Sequence, residues 1–401
     1  MSILSGKNIL LGITGGIAAY KTTYLVRHFI KAGAHVKIIM TPASIAFVTP
    51  LTLSTLSKNP VLSSFTNEED ENDVWNNHVD LGLWADIFVI APATANTMSK
   101  MATGNSDNFL LATYLSAKCP VYFAPAMDLD MYKHPSTQKS FDKLKSFGNI
   151  IIPAGSGELA SGLVGEGRMA EPEDILSFIE ADVLSKLPLI NKRVLITAGP
   201  TYEAIDPVRF IGNHSSGKMG FELANVMSRL GAEVTLITGP TREKISNSLV
   251  TLVPITSAEE MYVAAHEYFL NSDVVICAAA VADYKPKNIA TQKIKKKETT
   301  FNIELVKTKD ILASLGAIKK EQFLIGFALE TNNEIENAKV KLERKKLDFI
   351  VLNSLQDKGA GFGKSTNKIT IIDKDDSLTS FELKSKKDVA TDIVNYLLKK
   401  I

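Results

Sequence analysis

The sequence has little sulfur: two cysteines, Cys119 and Cys277, in 401 residues. Two thiols cannot build a disulfide framework or a cysteine-rich zinc site. They lie in opposite halves, which argues against a mutual bridge. An excess of one charge sign is also missing. Lys and Arg number 45 against 44 Asp and Glu, for a net charge of +1. No global basic field therefore advertises nucleic acid, and anions must be recruited locally. Long uncharged apolar runs are absent at the start of the chain. The opening MSILSGKNILLGITGG is a short apolar run broken by Gly12, Gly15 and Gly16. It reads as neither a signal peptide nor a membrane span. We expect a cytoplasmic protein with no nucleic-acid or membrane partner. The 45% hydrophobic and 22% charged residues exclude a disordered or collagen-like chain. At about 100–200 residues per domain, the length suggests two domains, or three.

Two halves share one plan. In the first, an apolar run at 9–13 leads through a Gly turn into a helical pattern of Ala18, Leu25, Val26, Phe29 and Ile30, with Gly33 placed as a C-terminal cap. Strands are expected at 35–40, 86–90 and 121–124. In the second, a strand at 193–197 ends in AGPT, a helix is expected over 220–230, and LGAEVTLITGP echoes KAGAHVKIIMTP. SDVVICAAAVADY likewise echoes ADIFVIAPATANT. Short apolar runs between helices indicate parallel strands covered on both faces. The expectation is two doubly wound α/β domains, 1–187 and 188–401. An amphipathic stretch over 172–184 ends the first, and a closing amphipathic helix is expected over 386–399. The Gly-rich segment 155–171 lacks strand or helix periodicity and reads as a lid loop.

Several segments carry chemistry. Gly12-Ile-Thr14-Gly15-Gly16 is a strand-to-helix turn that suits a phosphate. It lacks the GxGxxG dinucleotide fingerprint, so it favours a mononucleotide over NAD; taken alone, a plain tight βα turn is the commoner explanation. The loop Pro92-Ala93-Thr94-Ala95-Asn96-Thr97 follows a strand at the carboxyl edge, where small residues let a planar ring approach the backbone. His78 stands in VWNNHVDLGLWAD; a lone His is more often structural. Met127, Asp128 and Met131 follow the strand at 121–124, and two Met at this spacing are usually core.

Together these segments resemble the homo-oligomeric flavin-containing cysteine decarboxylases. The resemblance rests on the glycine turn, a P-A-S/T-A-N-T loop, a His matching His78, a P-x-M-N-x-x-M-W/Y motif and a flap ending G-R-M, here GELASGLVGEGRMAEP. It implies a flavodoxin-like, Rossmann-like fold. It also implies FMN held by Gly12, Thr14, Gly15, Gly16, Thr41 and the loop from Pro92 to Thr97. His78 is then the base for thiol oxidation, and Met127, Asp128, Met131 and Arg168 face the substrate. Removing CO₂ from a C-terminal cysteine needs an electron sink, which oxidation of the thiol provides. Two positions depart from the family. Asp128 replaces the Asn that holds the substrate carboxylate, and Ser161 replaces the flap Cys that donates a proton. An alcohol is far less acidic than a thiol, so Glu158 in the same flap is the alternative acid.

In the second half, Gly212-x-x-x-x-Gly217-Lys218 nearly matches a P-loop. Met219 takes the place of the Ser/Thr that would hold Mg²⁺, and no strand is expected directly before Gly212. Asn213, Ser215, Ser216 and Lys218 are still a donor-rich group around a helix start. Ala279-Ala280-Val281-Ala282-Asp283-Tyr284 follows a buried strand, and the Lys run 293–297 reads as a solvated face or a phosphate clamp. Gly326–331 is another strand-to-loop junction, before a basic stretch at 341–348. These segments look like the phosphopantothenate–cysteine ligase domain. In this order the two halves resemble the bacterial bifunctional phosphopantothenoylcysteine decarboxylase/phosphopantothenate–cysteine ligases of coenzyme A synthesis. That resemblance implies CTP-driven formation of an acyl-CMP. Lys293 would neutralise charge during activation, and Asn213 would act on the intermediate. Ala279, Ala280, Asp283, Phe327 and Lys345 would contact CTP, with Mg²⁺ on the triphosphate near Asp283. It further implies a homo-oligomer, a trimer-based dodecamer with dimeric ligase domains. Two other readings compete: a flavin enzyme for peptide C-terminal cysteines, and a non-catalytic flavin-fold half beside a working ligase.

Overall fold

The computed structural model describes residues 2–66, 75–295, 301–330, 332–354 and 364–401. Val74, Lys296, Lys297 and Thr331, each part of a segment singled out above, lie outside the described residues. The chain divides into two compact units, Met1–Leu184 and Ser185–Ile401.

The first unit is built on β1 (Asn8–Ile13), β2 (His35–Met40), β3 (Val61–Leu62), β4 (Ile87–Ala93), β5 (Val121–Pro125) and β6 (Ile150–Ile151). All six are parallel, in the order β3-β2-β1-β4-β5-β6. This is the strand order of dinucleotide-binding folds, not the flavodoxin order 2-1-3-4-5; the doubly wound Rossmann-like class is as expected. Every position of β4 is buried, because helices cover both faces of the sheet. Ile9, Leu11 and Ile13 pack with Leu25 and Phe29 on one face. Leu10, Phe88 and Ile90 pack with Phe109 and Leu110 on the other. The helix expected after the glycine turn begins as a 3₁₀ turn, Ile17–Lys21, and continues as Thr22–Lys31.

The Gly-rich segment is not a loop. It forms a hairpin of β7 (Gly155–Glu158) and β8 (Val164–Arg168), paired antiparallel. Its alternation was invisible because one face is written in glycine, which has no side chain to mark it. That face lies on the residues after β5. A Cβ on Gly165 would come within 2.6 Å of Leu129 Cδ1, and one on Gly167 within 2.4 Å of Met127 O. The Gly167 carbonyl accepts a hydrogen bond from Met127 N (3.0 Å).

The second unit repeats the plan. Its strands are β9 (Arg193–Ala198), β10 (Tyr202–Ala204), β11 (Phe210–Gly212), β12 (Glu233–Thr238), β13 (Val250–Pro254), β14 (Val274–Cys277), β15 (Tyr284–Pro286), β16 (Leu305–Lys307), β17 (Phe323–Glu330), β18 (Phe349–Ser354), β19 (Thr366–Asn367), β20 (Ile369–Asp373), β21 (Leu378–Ser380) and β22 (Lys384–Ser385). The main sheet runs β13-β12-β9-β14-β17-β18-β20-β21. It is parallel through β18, and β20 and β21 add an antiparallel edge. The first six strands therefore keep the order of the first unit. Contrary to expectation, a strand does precede Gly212: β11 pairs with β10 as a separate two-stranded hairpin. It is not the parallel strand a P-loop requires. The helix expected over 220–230 spans Lys218–Arg229, and the closing helix spans Lys386–Leu397 and packs beside it.

Gly316, in the helix Ile311–Ile318, shows how tightly this unit is packed near its cavities. A Cβ there would lie 2.1 Å from the carbonyl oxygen of Lys345. Gly316→Ala is expected to destabilise by about 1–3 kcal/mol through overpacking, lowering Tm by roughly 2–12 °C. Calorimetry showing an unchanged Tm would mean the two backbones do not approach so closely.

Candidate functional site

In an open α/β sheet, ligands bind beyond the carboxyl ends of the strands, where the chain direction switches. In the first unit that point lies between β1 and β4. A cavity of about 960 Å³ opens there. Its lining brings together Gly15, Gly16, Thr41, Thr94, Ala95, Asn96 and Thr97 with Met127, Asp128, Met131, Glu158, Ser161 and Arg168. Five expected residues do not line it: Gly12, Thr14, Pro92, Ala93 and His78. Gly12 lies inside β1, where a Cβ would press on Phe88 and Leu110. Thr14 works from behind the wall. Its fully buried hydroxyl donates to Pro92 O (2.7 Å) and accepts from Thr94 N (3.2 Å), tying the glycine turn to the APATANT loop. The Thr94 side chain then caps the helix Ala95–Thr103 by accepting from Thr97 N.

His78 opens the helix His78–Trp84, with Asn77 as its cap. Its ring stands edge-on to Phe65, whose other edge contact is Phe109. The Nδ1 of His78 is buried and has no hydrogen-bond partner. Buried polar atoms are nearly always paired, so this exception needs an explanation.

The charges of the cavity are unevenly satisfied. Lys21, missed in the sequence, is buried and bonds Glu171 Oε1 (2.8 Å) and Met169 O (3.3 Å). Arg168 Nη2 shares that Glu171 oxygen (2.8 Å). The Lys21 hydrogen bond, helped by the Lys21 and Arg168 charges, holds the Glu171 carboxyl below its ordinary range. Lys100 pairs with Asp107. Asp128 caps the short helix Leu129–Lys133 by accepting from Leu129 N (2.6 Å). Among the described residues neither Asp128 nor Glu158 has a cationic partner. Ser161 sits exposed in the turn of the hairpin, its hydroxyl at 3.5 Å from Leu163 N.

In the second unit the switch point lies between β9 and β14. Two adjoining cavities, of about 480 and 350 Å³, share Ala279, Val281, Asp283, Phe327 and Lys341. Asn213 and Ala280 line the smaller cavity and Lys345 the larger. Asn213 is pinned to the nucleotide-loop candidate, its Nδ2 donating to Ala280 O and Val281 O, each at 3.1 Å. Lys345 pairs with Asp310 (2.8 Å), the cap of the helix Ile311–Ile318. Burial alone would raise the Asp310 carboxyl, but bonds from Lys345 and from Ala313 N bring it below its ordinary range. Lys341 donates to Phe327 O (2.8 Å). Burial, and then the Lys345 charge, push its ammonium down. No local pattern distinguished Lys341 from its neighbours in a basic helix.

Lys293 lines neither cavity. It lies on an exposed segment anchored by the pair Asp206–Arg209. Asp206 accepts from Ile294 N (3.1 Å), and Arg209 donates to Ile294 O (3.0 Å). The Arg209 hydrogen bond keeps the Asp206 carboxyl well below the usual carboxylate range. Among the described residues, no group of three or more His, Cys, Asp or Glu is placed to hold a metal ion, and no helix is long and apolar enough to cross a membrane.

Family models match both units. One described as Flavoprotein covers residues 2–184, and one described as DNA/pantothenate metabolism flavoprotein C-terminal domain covers residues 189–401. The cysteine/cysteine sulfinic acid decarboxylase of an unknown prokaryotic organism is 55% identical over 356 residues, 88% of this chain and 99% of that protein. The coenzyme A biosynthesis bifunctional protein CoaBC of Bacillus subtilis (strain 168) is 43% identical over 394 residues, 98% of this chain and 97% of that protein. The crystal structure of the C-terminal domain of a CoaBC protein is 43% identical, covering 54% of this chain and 98% of that chain with a TM-score of 0.46.

One cysteine reports on how dry the second site is. Cys277 lines the larger cavity of the second unit, and burial pushes its thiol up to about 12. Burial also raises Cys119. Since the thiolate is the nucleophile, iodoacetamide at pH 8 should label Cys277 roughly a thousandfold more slowly than free cysteine. Rapid labelling, read by mass spectrometry, would show that water reaches this wall freely.

Proposed function

The chain belongs to the family of bifunctional coenzyme A biosynthesis proteins, and from that premise we propose how its two units divide the work. The second unit joins phosphopantothenate to cysteine at the expense of CTP, through an acyl-CMP. The first decarboxylates the product, phosphopantothenoylcysteine, to phosphopantetheine and CO₂. The observation that supports this most directly is the repeated placement of a small-residue cavity at the switch point of each sheet.

The first cavity fits FMN in volume and in its donors. Gly16 presents bare backbone opposite Thr94, and Ala95, Asn96 and Thr97 form a low wall. When bound, FMN supplies a two-electron oxidation of the thiol and later returns the hydride, so the net reaction needs no outside oxidant. The resemblance assigns removal of the thiol proton to His78, which within one chain lies outside the cavity lining. The hairpin carrying Ser161 and Glu158 closes over the substrate and excludes water. Glu158 supplies the proton, because Ser161 is a poor acid. Exposed apolar residues outside the cavity, such as Tyr24 and Leu51, support a homo-oligomer; a trimer-based dodecamer with dimeric ligase units is the state we propose, in the cytoplasm.

In the second unit, Asn213 holds the acyl phosphate against the Ala280 loop. Lys341 and Lys345 face the nucleotide with Phe327, and Lys293 comes from its anchored segment to offset charge on the transferring group. Asp283 is exposed at the junction of the two cavities. One carboxylate suits Mg²⁺ held chiefly by triphosphate oxygens.

The unpaired Asp128 favours a second substrate for the first unit. A carboxylate repels the carboxylate of an amide-capped cysteine, but attracts the ammonium of the free amino acid. The relative named as a cysteine/cysteine sulfinic acid decarboxylase agrees with this reading.

The first unit is tested by CO₂ release from phosphopantothenoylcysteine and from free cysteine. His78→Asn should retain flavin and lose about 10²–10⁴-fold in rate on either substrate. Asp128→Asn should shift preference toward the capped substrate. Near-normal rates in His78→Asn return it to a structural role, and an unchanged preference in Asp128→Asn removes the second substrate.

The second unit is tested by trapping the intermediate. Lys293→Gln should prevent acyl-CMP from forming, whereas Asn213→Asp should let it accumulate, because activation proceeds and capture by cysteine fails. Arrest of both variants at one stage would show that these roles are wrongly divided.

A further inference from the structure

The hairpin of β10 and β11 carries both residues that the ligase reading places at successive stages. Asn213 follows β11 directly, and its Nδ2 holds Ala280 O and Val281 O. Lys293 is exposed, on the excursion between β15 and β16. Two ties fasten that excursion to the turn of the hairpin. Ala290 N donates to Ile205 O (3.0 Å), and Ile294 N donates to Asp206 Oδ2 (3.1 Å). Lys293 stands immediately before the second tie. The hairpin itself is well seated. The Tyr202 and Phe210 rings stack with centroids 3.8 Å apart. Tyr202 N donates to Thr256 O (2.8 Å), and Glu203 Oε1 accepts from Ala258 N (2.8 Å).

Asp206 divides its carboxylate oxygens between two tasks. Oδ1 accepts from Val208 N (2.8 Å) and Arg209 N (2.9 Å), which closes its own turn. The turn asks nothing more, and a neutral Asn closes such a turn equally well. Oδ2 serves another element. It accepts from Ile294 N and from Arg209 Nε (2.9 Å), and Arg209 Nη2 donates in turn to Ile294 O (3.0 Å). Ile294 is therefore gripped at both its N–H and its carbonyl. The carboxylate that does this is on a residue only 2% exposed. Burying a charge is costly unless it is paired and hydrogen-bonded, and the hairpin turn alone does not require that cost.

We propose that Asp206 is a positioning residue for the ligase: through Oδ2 it straps the Lys293 segment to the hairpin that leads into Asn213, so that the cation used in activation and the amide used in capture ride on one piece. The inference rests on the ligase reading of this unit and on the role of Lys293 within it. Asp206 lines neither cavity and acts through Lys293. Without the strap the segment would leave its working position, and the loss should fall on the step that uses Lys293.

The test uses the full chain. Asp206→Asn keeps an oxygen for Val208 N and Arg209 N but turns an amide N–H₂ toward Ile294 N. It should slow acyl-CMP formation, read as pyrophosphate release from CTP with phosphopantothenate, by about 10- to 100-fold, the usual worth of a charged hydrogen bond. Capture by cysteine of acyl-CMP supplied ready-made should stay within twofold, which general damage to the unit would not allow. Ile294→Pro removes the donor and should slow the same stage. The double variant should be no slower than the worse single one, because both changes cut one strap. Should Asp206→Asn fold poorly, Ile294→Pro carries the test, since it leaves the hairpin turn alone. Acyl-CMP formation within twofold of the parent at unchanged Tm, equal losses at both stages, or additive losses in the double variant would each overturn the positioning role. Trypsin separates this result from the ligase reading. Cleavage after Lys293 should be roughly tenfold faster in Asp206→Asn, because a loosened segment opens more often. Faster cleavage supports the strap even in a chain that does not ligate, and equal cleavage sinks it.

Discussion

In each half, a fully buried threonine hydroxyl spans the gap between the loops that leave the two central strands. Thr14 bonds Pro92 O and Thr94 N beyond β1 and β4. Thr201 accepts from Ala282 N (3.0 Å) beyond β9 and β14. The parallel crossovers diverge at this point, and the hydroxyl takes up an amide that the ladder no longer serves; in the second half backbone pairing persists a little further, with Ala280 N bonded to Gly199 O (2.9 Å), before Thr201 takes over at Ala282 N. A short side chain with both donor and acceptor character meets that need without filling the crevice. A larger residue would occupy the cavity, and an apolar one would leave a buried amide unpaired at a cost of about 1–3 kcal/mol. The small residues beside these threonines follow from the same constraint.

Charge is then arranged differently in the two halves. In the first, Lys21 and Arg168 share Glu171 and Lys100 has Asp107, so every cation lining the cavity touches an acid, while Asp128 and Glu158 have no cationic partner among the described residues. In the second, the surplus is ammonium, with Lys341 shared between two cavities and pushed down by burial and by Lys345. A field of that sign suits the handling of polyphosphate and of an acyl phosphate. The net charge of +1 conceals both arrangements, since it sums them away.

Much of this was legible before any coordinates. The strands at 35–40, 121–124 and 193–197 could be read because both faces are buried and the runs are unbroken. The glycine turn and APATANT segments could be placed at strand ends by their small residues, although a plain tight turn has the same composition. What escaped notice has a physical reason in each case. The hairpin after β6 hides its period because its packed face is glycine. Lys21, Asp206 and Arg209 act through partners distant in sequence, and no local spacing encodes Lys21 with Glu171 or Asp206 with Ile294. The strand order also lay beyond the pattern, since alternating βα units fit several orders equally well.

The hairpin over the first cavity carries its backbone hydrogen bonds internally, in the ladder between β7 and β8. Its anchorage to the wall beneath is concentrated at one end: the bond from Met127 N to Gly167 O, the contact of Gly165 with Leu129, and the bonds of buried Lys21 to Met169 O and to the Glu171 that also holds Arg168. Such a piece can lift as a stiff paddle without melting. Lifting sacrifices only its seat, so the barrier belongs to the seat and not to the paddle's own ladder. If the hairpin closes over substrate as proposed, admission and escape are uncoupled from the folding stability of the lid, which can be strengthened or weakened along its length without resetting how often the door opens.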